Sequence, residues 1–215
     1  MGGGASQHQE LLTSLKKDGP TRTEALRRIQ RFGYDSANLV FMGSKESGLI
    51  PILASIVVEQ GADRNVAIDI FLNLTCPLNN RAYIGRKAYG LIYTCIQILN
   101  NVSLAYADLS AAGSLLWNLG LHLSNAEQCV EYGGIEILTK LAMDAVTKNN
   151  MEYLKLTLTT LMINSRVPGA ALRFAKIPGA LECFQGLVDC ETLDGLRATV
   201  VVANMVGRQE GMCVL

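Results

Sequence analysis

The 215-residue chain lacks an excess of charge of either sign, because 19 Lys and Arg residues balance 19 Asp and Glu residues. Without a net field, neither nucleic acid nor an anionic membrane is favoured by charge alone. Proline occurs five times, aromatic residues make up 6% of the chain, and the alternation typical of strands is sparse. These absences argue against a β-rich domain. With hydrophobic residues at 49% and charged residues at 18%, the chain is predicted to fold, and to fold as helices.

Further absences concern export and catalysis. No charged-then-apolar signal pattern opens the chain, and its longest apolar run, "GLIPILASIVV", is about half of a membrane span. Six scattered cysteines without a Cys-x-x-Cys pair indicate reduced core thiols rather than disulfides or metal ligands. The chain has only two histidines and no phosphate-binding loop, nucleophile elbow or His-Glu-x-x-His motif. We therefore predict that the protein is not an enzyme and that it holds no cofactor or metal.

A repeated pattern accounts for most of the chain. Four stretches have apolar residues six, three and two positions before an Asn, which is a helical periodicity: "AIDIFLNL", "AGSLLWNL", "LTTLMINS" and "ATVVVANM". A second series runs in step with the first and opens apolar helices at Gly48, Gly90, Gly134 and Gly179. Because Gly accepts a positive φ, each of these glycines is predicted to form a sharp turn between two helices. Both series recur at intervals of about 40 to 46 residues, which indicates units of three helices.

This arrangement resembles the armadillo repeat, in which Gly-Ile-x-x-Leu opens one helix and Leu-x-Asn-Leu lies late in the next. The resemblance covers residues 34–207 and implies an all-α, armadillo-type α-solenoid of about four repeats. Asn80 and Asn125, each seven residues after a repeat Asn, match the family's first short helix.

The remaining residues are assigned to the ends of the solenoid. Residues 8–33 are interpreted as a degenerate N-terminal capping repeat, in which Arg31 stands in the place of the repeat Asn. Residues 1–7 are then a flexible N-terminal tail, and residues 208–215 are a C-terminal tail.

The resemblance also implies a binding function. In armadillo proteins the third helix of each repeat lines a concave groove, and its Asn hydrogen-bonds the backbone of an extended peptide. The resemblance therefore assigns a peptide-binding groove to the repeat asparagines and to polar residues one turn earlier: Asn73, Asn118, Asn164 and Asn204, with Asp69, Ser114 and Thr160. Alternatively, the asparagines only satisfy the backbone of loops or neighbouring helices, since polar side chains most often bond to backbone or water.

The sequence departs from the nuclear import receptors of the same family. Those receptors carry Trp one turn before many groove asparagines and hold Lys and Arg side chains between the aromatic faces. Here the only Trp, Trp117, lies beside Asn118 instead of one turn before it. We therefore expect a scaffold or adaptor that binds a protein or an extended peptide, and not nucleic acid.

The chain opens with "MGGGAS", which matches the N-myristoylation pattern with Gly2 as the acceptor. An unmodified, flexible Gly-rich start is the alternative. One acyl chain binds membranes only marginally, so a second contact is expected from the basic residues of the first helices: Lys16, Lys17, Arg27, Arg28 and Arg31. These residues could equally form the solvated face of a capping helix. The sequence thus predicts a lipid-anchored, peripheral scaffold on a cytoplasmic membrane surface or, without the lipid, a soluble armadillo adaptor.

Overall fold

The computed structural model describes residues 3–59 and 61–206, with residues 3–7 described as backbone only. All regular structure in these residues is helical. None of their helices has the length and apolar content needed to cross a bilayer. The chain divides into two compact units, the first ending at Thr94 and the second beginning at Cys95.

The described residues contain fourteen α-helices. Seven begin in the first unit: α1 (Gly3–Leu15), α2 (Pro20–Phe32), α3 (Ser36–Met42), α4 (Leu49–Val58), α5 (Arg64–Leu74), α6 (Leu78–Ile84) and α7 (Leu91–Asn100). Seven lie in the second unit: α8 (Tyr106–Gly120), α9 (Leu123–Glu131), α10 (Gly134–Thr147), α11 (Met151–Asn164), α12 (Ala170–Ala175), α13 (Ala180–Val188) and α14 (Leu193–Val206). Short 3₁₀ segments, Lys45–Ser47 and Lys87–Tyr89, precede α4 and α7. After α2, a set of three helices occurs four times, which confirms the predicted all-α solenoid of four repeats behind a helical cap.

The N-terminal end differs from the prediction. Helix α1 begins at Gly3, so residues 3–7, which the sequence assigns to a flexible tail, are helical. These residues run directly into a helix whose Leu11 and Leu15 are buried, and a helix that is already nucleated gains one backbone hydrogen bond for each residue added. Residues 1–2 and 207–215, and with them the predicted C-terminal tail, lie outside the described residues.

Glycines with a positive φ precede the second helix of every repeat. Three of them are predicted positions with φ between 65° and 75°: Gly48, Gly90 and Gly179. In the third repeat the left-handed residue is Gly133, with φ of 81°, and not the predicted Gly134. Gly134 is buried, and a Cβ added to it would lie 2.3 Å from the Sγ of Cys129. The two glycines therefore meet separate requirements, the first for a turn and the second for close packing.

The first unit is built on α1, α2, α4 and α5. Helix α1 packs against α2 and α4, and α5 packs against α2, α3 and α4. Large side chains that are fully buried form its core, among them Leu26, Ile50, Leu53, Ile68 and Phe71. Burying a side chain of this size stabilises the fold by roughly 1.5–3 kcal/mol, so these contacts fix the rotation of α2 and α5 about their axes.

In the second unit, the third helices of three successive repeats lie side by side. Helix α11 packs between α8 and α14, while α10 packs on α11 and α13 packs on α14. The core includes Leu116, Leu138 and Leu158, and the rings of Phe174 and Phe184 meet edge to face with centroids 5.1 Å apart. Because α11 has a neighbour on both flanks, it is buried over more of its circumference than an end helix.

Buried amides tie the first helix of a repeat to the third helix that precedes it. The Nδ2 of Asn80 in α6 donates to the carbonyls of Leu39 and Leu74, both at 2.9 Å. The Nδ2 of Asn125 in α9 donates to the carbonyl of Leu119 at 3.0 Å. Leu74 and Leu119 lie in the last turns of α5 and α8, where carbonyls lack a partner within the helix. These two asparagines thus supply hydrogen-bond donors to carbonyls at the C-terminal ends of α5 and α8.

Candidate peptide-binding surface

The third helices α5 and α8 share one pattern of buried and accessible positions. Asn73 and Asn118, 45 residues apart, are both half-buried, and each is followed by a buried Leu. One turn earlier, Asp69 is exposed and Ser114 is half-buried. These four predicted residues therefore occupy equivalent and accessible positions, each on the third helix of its own repeat.

In α11 the equivalent positions lie one residue earlier than predicted. The buried residues of α8 recur at a spacing of 45 in α11, so that Leu109, Ala112, Gly113, Leu115, Leu116 and Leu119 correspond to Leu154, Thr157, Leu158, Thr160, Leu161 and Asn164. Thr159 and Ile163, both half-buried, are therefore the counterparts of Ser114 and Asn118. The sequence pattern predicts Thr160 and Asn164 at these positions, because the repeats are aligned on the Asn itself.

Asn164 and Thr160 are buried, which corrects their assignment to the groove. The Nδ2 of Asn164 donates to the carbonyl of Thr160 at 2.9 Å, and its buried Oδ1 has no hydrogen-bond partner. The Oγ1 of Thr160 donates to the carbonyls of Leu156 at 2.9 Å and of Gly113 in α8 at 3.3 Å. Asn164 also fills the space beside Gly120, where an added Cβ would lie 2.6 Å from its Oδ1. Both residues hold α11 against α8.

Asn204 in α14 is the counterpart of Ile163 and is half-buried. Its Nδ2 donates to the carbonyl of Met162, in the last turn of α11, at 3.1 Å and to the Oγ of Ser165, directly after α11, at 2.9 Å. The side-chain donors of Asn204 thus fit the alternative prediction, in which a repeat Asn bonds to a neighbouring helix and not to a peptide.

Asn73 and Asn118 differ in their surroundings. Asn118 already takes part in an interaction within the chain. The side-chain amide of Asn73 has no hydrogen-bond partner among the described residues and is not fully buried. Beside it on α5, protein atoms partly desolvate the carboxyl of Asp69 and raise its pKa above the ordinary value. Asn73 therefore has two donors and an acceptor available for a ligand.

The five basic residues predicted to contact a membrane lie in two places. Lys16 and Lys17 are exposed in the turn between α1 and α2, while α2 carries exposed Arg27 and Arg31 and half-buried Arg28. None of the five forms an ion pair with a described residue. Gly2, the predicted acceptor of myristate, lies outside the described residues.

The titratable groups form no metal site in the part of the chain that the structure describes. Cys95 and Cys129 are fully buried, and burial raises the pKa of the Cys95 thiol to about 12. Burial, with a smaller contribution from Cys95, also raises the pKa of the Cys129 thiol far above its usual range. The Nδ1 of His122 lies 2.9 Å from the Oγ of Ser124, a local contact at the start of α9.

Comparison with solved structures relates this arrangement to known proteins. The chain is similar to a designed armadillo repeat protein in complex with the peptide (KR)4, with a TM-score of 0.72 and 15% identity over 92% of this chain and 80% of that chain. It is also similar to the armadillo-repeats-only protein from Plasmodium falciparum, with a TM-score of 0.70 and 11% identity over 94% and 93% of the two chains. UNC-45 from Drosophila melanogaster gives a TM-score of 0.73 and 18% identity over 95% of this chain and 26% of that chain. No protein-family model and no curated protein sequence matches the chain. The fold is an all-α, armadillo-type α-solenoid.

Proposed function

We propose that the protein is a non-catalytic scaffold that binds an extended peptide or a partner protein along the accessible faces of its third helices. The observation that carries this proposal is a polar position that recurs on α5 and α8, where Asn73 and Asn118 stand. Asp69 and Ser114 add polar groups one turn earlier. An amide side chain both donates and accepts, so it can pair with any peptide backbone.

Two further observations support a binding role. The similar designed protein holds a peptide, and stacked helical repeats in general present an elongated surface to their ligands. The accessible positions of α5 and α8 carry amides, a hydroxyl and a carboxylate, which suit hydrogen bonding to a peptide. We accordingly propose that the partner is a protein or a peptide and that the scaffold itself has no catalytic activity.

Alanine substitution at the two accessible asparagines tests the binding role. Peptides that bind the intact protein are selected from a random displayed library, and their affinities for Asn73→Ala and Asn118→Ala are measured by titration calorimetry. Each substitution removes hydrogen bonds to the peptide backbone and is expected to cost about 1 kcal/mol, or about fivefold in Kd. Asn79→Ala, which truncates an exposed Asn of α6, is the matched control and is expected to leave Kd unchanged. Full affinity in both test variants would reject the proposal.

We further propose that a myristoyl group on Gly2 tethers the scaffold to a cytoplasmic membrane surface. The opening "MGGGAS" supports this, because the motif supplies the Gly amine and the Ser at the sixth position. A single acyl chain attaches a protein weakly and reversibly, so a second contact is needed. The basic residues of the turn after α1 and of α2 are the candidates for this contact: Lys16, Lys17, Arg27, Arg28 and Arg31.

Fractionation of cells that express three forms of the protein tests the tether. The intact protein and Gly3→Ala, which keeps the acceptor, are expected in the membrane pellet, while Gly2→Ala is expected in the supernatant. Raising the salt concentration should release part of the intact protein, because exposed charges are screened beyond about 8–10 Å. Equal pelleting of Gly2→Ala and the intact protein would exclude the lipid anchor and favour an adaptor without a lipid that its partner holds at the membrane.

A further inference from the structure

Helix α2 of the cap has the same pattern of buried and accessible positions as α5, but different residue types at the accessible positions. At a spacing of 42 residues, buried residues coincide in the two helices: Ala25, Leu26 and Ile29 of α2 correspond to Ala67, Ile68 and Phe71 of α5. The same spacing makes Arg27 and Arg31 the counterparts of Asp69 and Asn73. All four side chains are exposed or half-buried.

The two helices lie together in the first unit. Helix α2 packs against α5, and the Oγ1 of Thr23 donates to the Oδ1 of Asp63 at 2.8 Å. Thr23 lies in the first turn of α2 and Asp63 directly precedes α5, so the two helices run in the same direction. Because their equivalent faces are buried, their accessible faces lie on the same side of the unit.

Arg28 of α2 belongs to a different face from Arg27 and Arg31. Arg28 corresponds to Ile70, which α5 buries, and it is itself half-buried. Arg27 and Arg31 are four residues apart and therefore lie one turn apart on one face, about 6 Å along the helix axis. The arginines predicted to form one basic cluster thus divide into one residue on the flank of α2 and a pair at the positions that correspond to Asp69 and Asn73.

The Arg pair carries uncompensated positive charge. Neither guanidinium forms an ion pair with a described residue. Glu24, the one acidic residue of α2, is exposed one turn before Arg27, which leaves this face with two positive charges and one negative. Two guanidinium groups one turn apart can both donate to a single carboxylate, in charge-assisted bonds about twice as strong as neutral ones.

We propose that Arg27 and Arg31 select an extended peptide segment with an acidic side chain at α2, while Asn73 holds its backbone at α5. This inference rests on the proposed peptide-binding function and adds the chemistry of the partner. Asp69 repels a second carboxylate at α5, so the residue bound there is neutral or basic. An anionic membrane would bring many negative charges against Asp69 as well, whereas a peptide places one acidic residue where the arginines lie.

Fluorescence anisotropy with two labelled octapeptides tests this selection. One peptide alternates Glu with Lys, and the other alternates Gln with Lys. The intact protein is expected to bind the Glu peptide about tenfold more tightly, which corresponds to one charge-assisted interaction. In the variant Arg27→Gln with Arg31→Gln this ratio should fall to near one. The variant Lys16→Gln with Lys17→Gln loses the same charge at exposed positions and should keep the tenfold ratio.

The outcomes separate this inference from the function on which it rests. If the intact protein binds both peptides equally, the acidic selection is wrong and the scaffold function stands. If it binds neither peptide but still binds a library-selected peptide, the acidic selection is again wrong and the scaffold function stands. An equal loss of the ratio in the Lys variant would show that bulk charge, and not the Arg pair, selects the peptide. Sedimentation with phosphatidylserine vesicles tests the membrane as the alternative ligand. If the Arg variant no longer binds the vesicles but keeps the tenfold ratio of affinities for the two peptides, the Arg pair contacts the membrane and the proposal is wrong. Circular dichroism should show all variants folded, since the substituted side chains are exposed.

Discussion

At the scale of single residues, Asn164 shows how one position can be misread. Its sequence context matches the other repeat asparagines, yet its place in the fold is that of Leu74 in α5 and Leu119 in α8, which are fully buried. The burial explains why a small residue, Gly120, lies opposite it, since the Asn164 amide occupies the space that a side chain would need. A short, buried side chain has little freedom to move away from such a contact.

A double-mutant cycle tests this contact. Gly120→Ala alone is expected to lower the free energy of unfolding by about 1–3 kcal/mol, because the new Cβ would overlap Asn164. In the Asn164→Ala background the same change should stabilise the protein by up to about 1 kcal/mol, since Ala is favoured over Gly in a helix. Urea denaturation of the four proteins gives both values. Equal effects of Gly120→Ala in the two backgrounds would show that the two residues do not touch.

The cysteines give a second prediction at this scale. The thiolate is the reactive form, and burial raises the pKa of Cys95 to about 12, so this thiol stays protonated at pH 8. Cys129 is buried beside it with its pKa raised in the same direction. Native protein treated with a maleimide at pH 8 should be labelled at the exposed Cys76 and Cys190 and not at Cys95 or Cys129. Peptide mass mapping reads each site, and labelling of Cys95 as fast as that of Cys76 would contradict the buried assignment.

At the scale of helices, the sequence predicts which segments are helical better than which face is buried. In α5, polar Asp69 and Asn73 interrupt an otherwise apolar pattern and mark the accessible face. Helix α11 offers no such contrast, because Met162 and Ile163 are half-buried while Thr157 and Thr160 are buried. The neighbours α8 and α14 pack on both flanks of α11 and determine its rotation about the helix axis. The periodicity of a single helix does not contain these contacts, so it could not predict which face of α11 is buried.

The turn before α10 yields a prediction about an element boundary. Gly133→Ala places a Cβ on a left-handed residue and is expected to cost about 1–2 kcal/mol of folding free energy. Gly134→Ala should cost more, because its Cβ would meet both the Sγ of Cys129 and, at 2.9 Å, the Cys129 carbonyl oxygen, which is backbone and cannot rotate away. Thermal unfolding of the two variants ranks them. A larger loss for Gly133→Ala would mean that strain, and not packing, dominates this turn.

At the scale of the whole molecule, the number of repeats and the helical cap could be predicted because two independent series recur in step along the sequence. The spacing of a series shows which helix is the third of its repeat, but it does not determine the alignment of that helix to within one residue. A shift of one residue in the alignment exchanges an accessible position for a buried one. The same limit explains the Arg residues of α2. The sequence predicts that Arg31 takes the place of the repeat Asn, whereas the contact between α2 and α5, which brings Arg27 and Arg31 to the helix of Asp69 and Asn73, required the structure.

We propose that, within the second unit, peptide contacts the accessible positions of the third helices, and that in α11 this position is Ile163 and not Asn164. Thiol labelling of Ile163→Cys and Asn164→Cys tests it directly, in a background with the exposed Cys76 and Cys190 changed to Ser and with a selected peptide added or withheld. We expect Cys at 163 to be labelled readily and to be protected by the peptide, and Cys at 164 to be labelled only after unfolding. Faster labelling at 164 than at 163, or labelling at 163 that a saturating peptide does not slow, would contradict it.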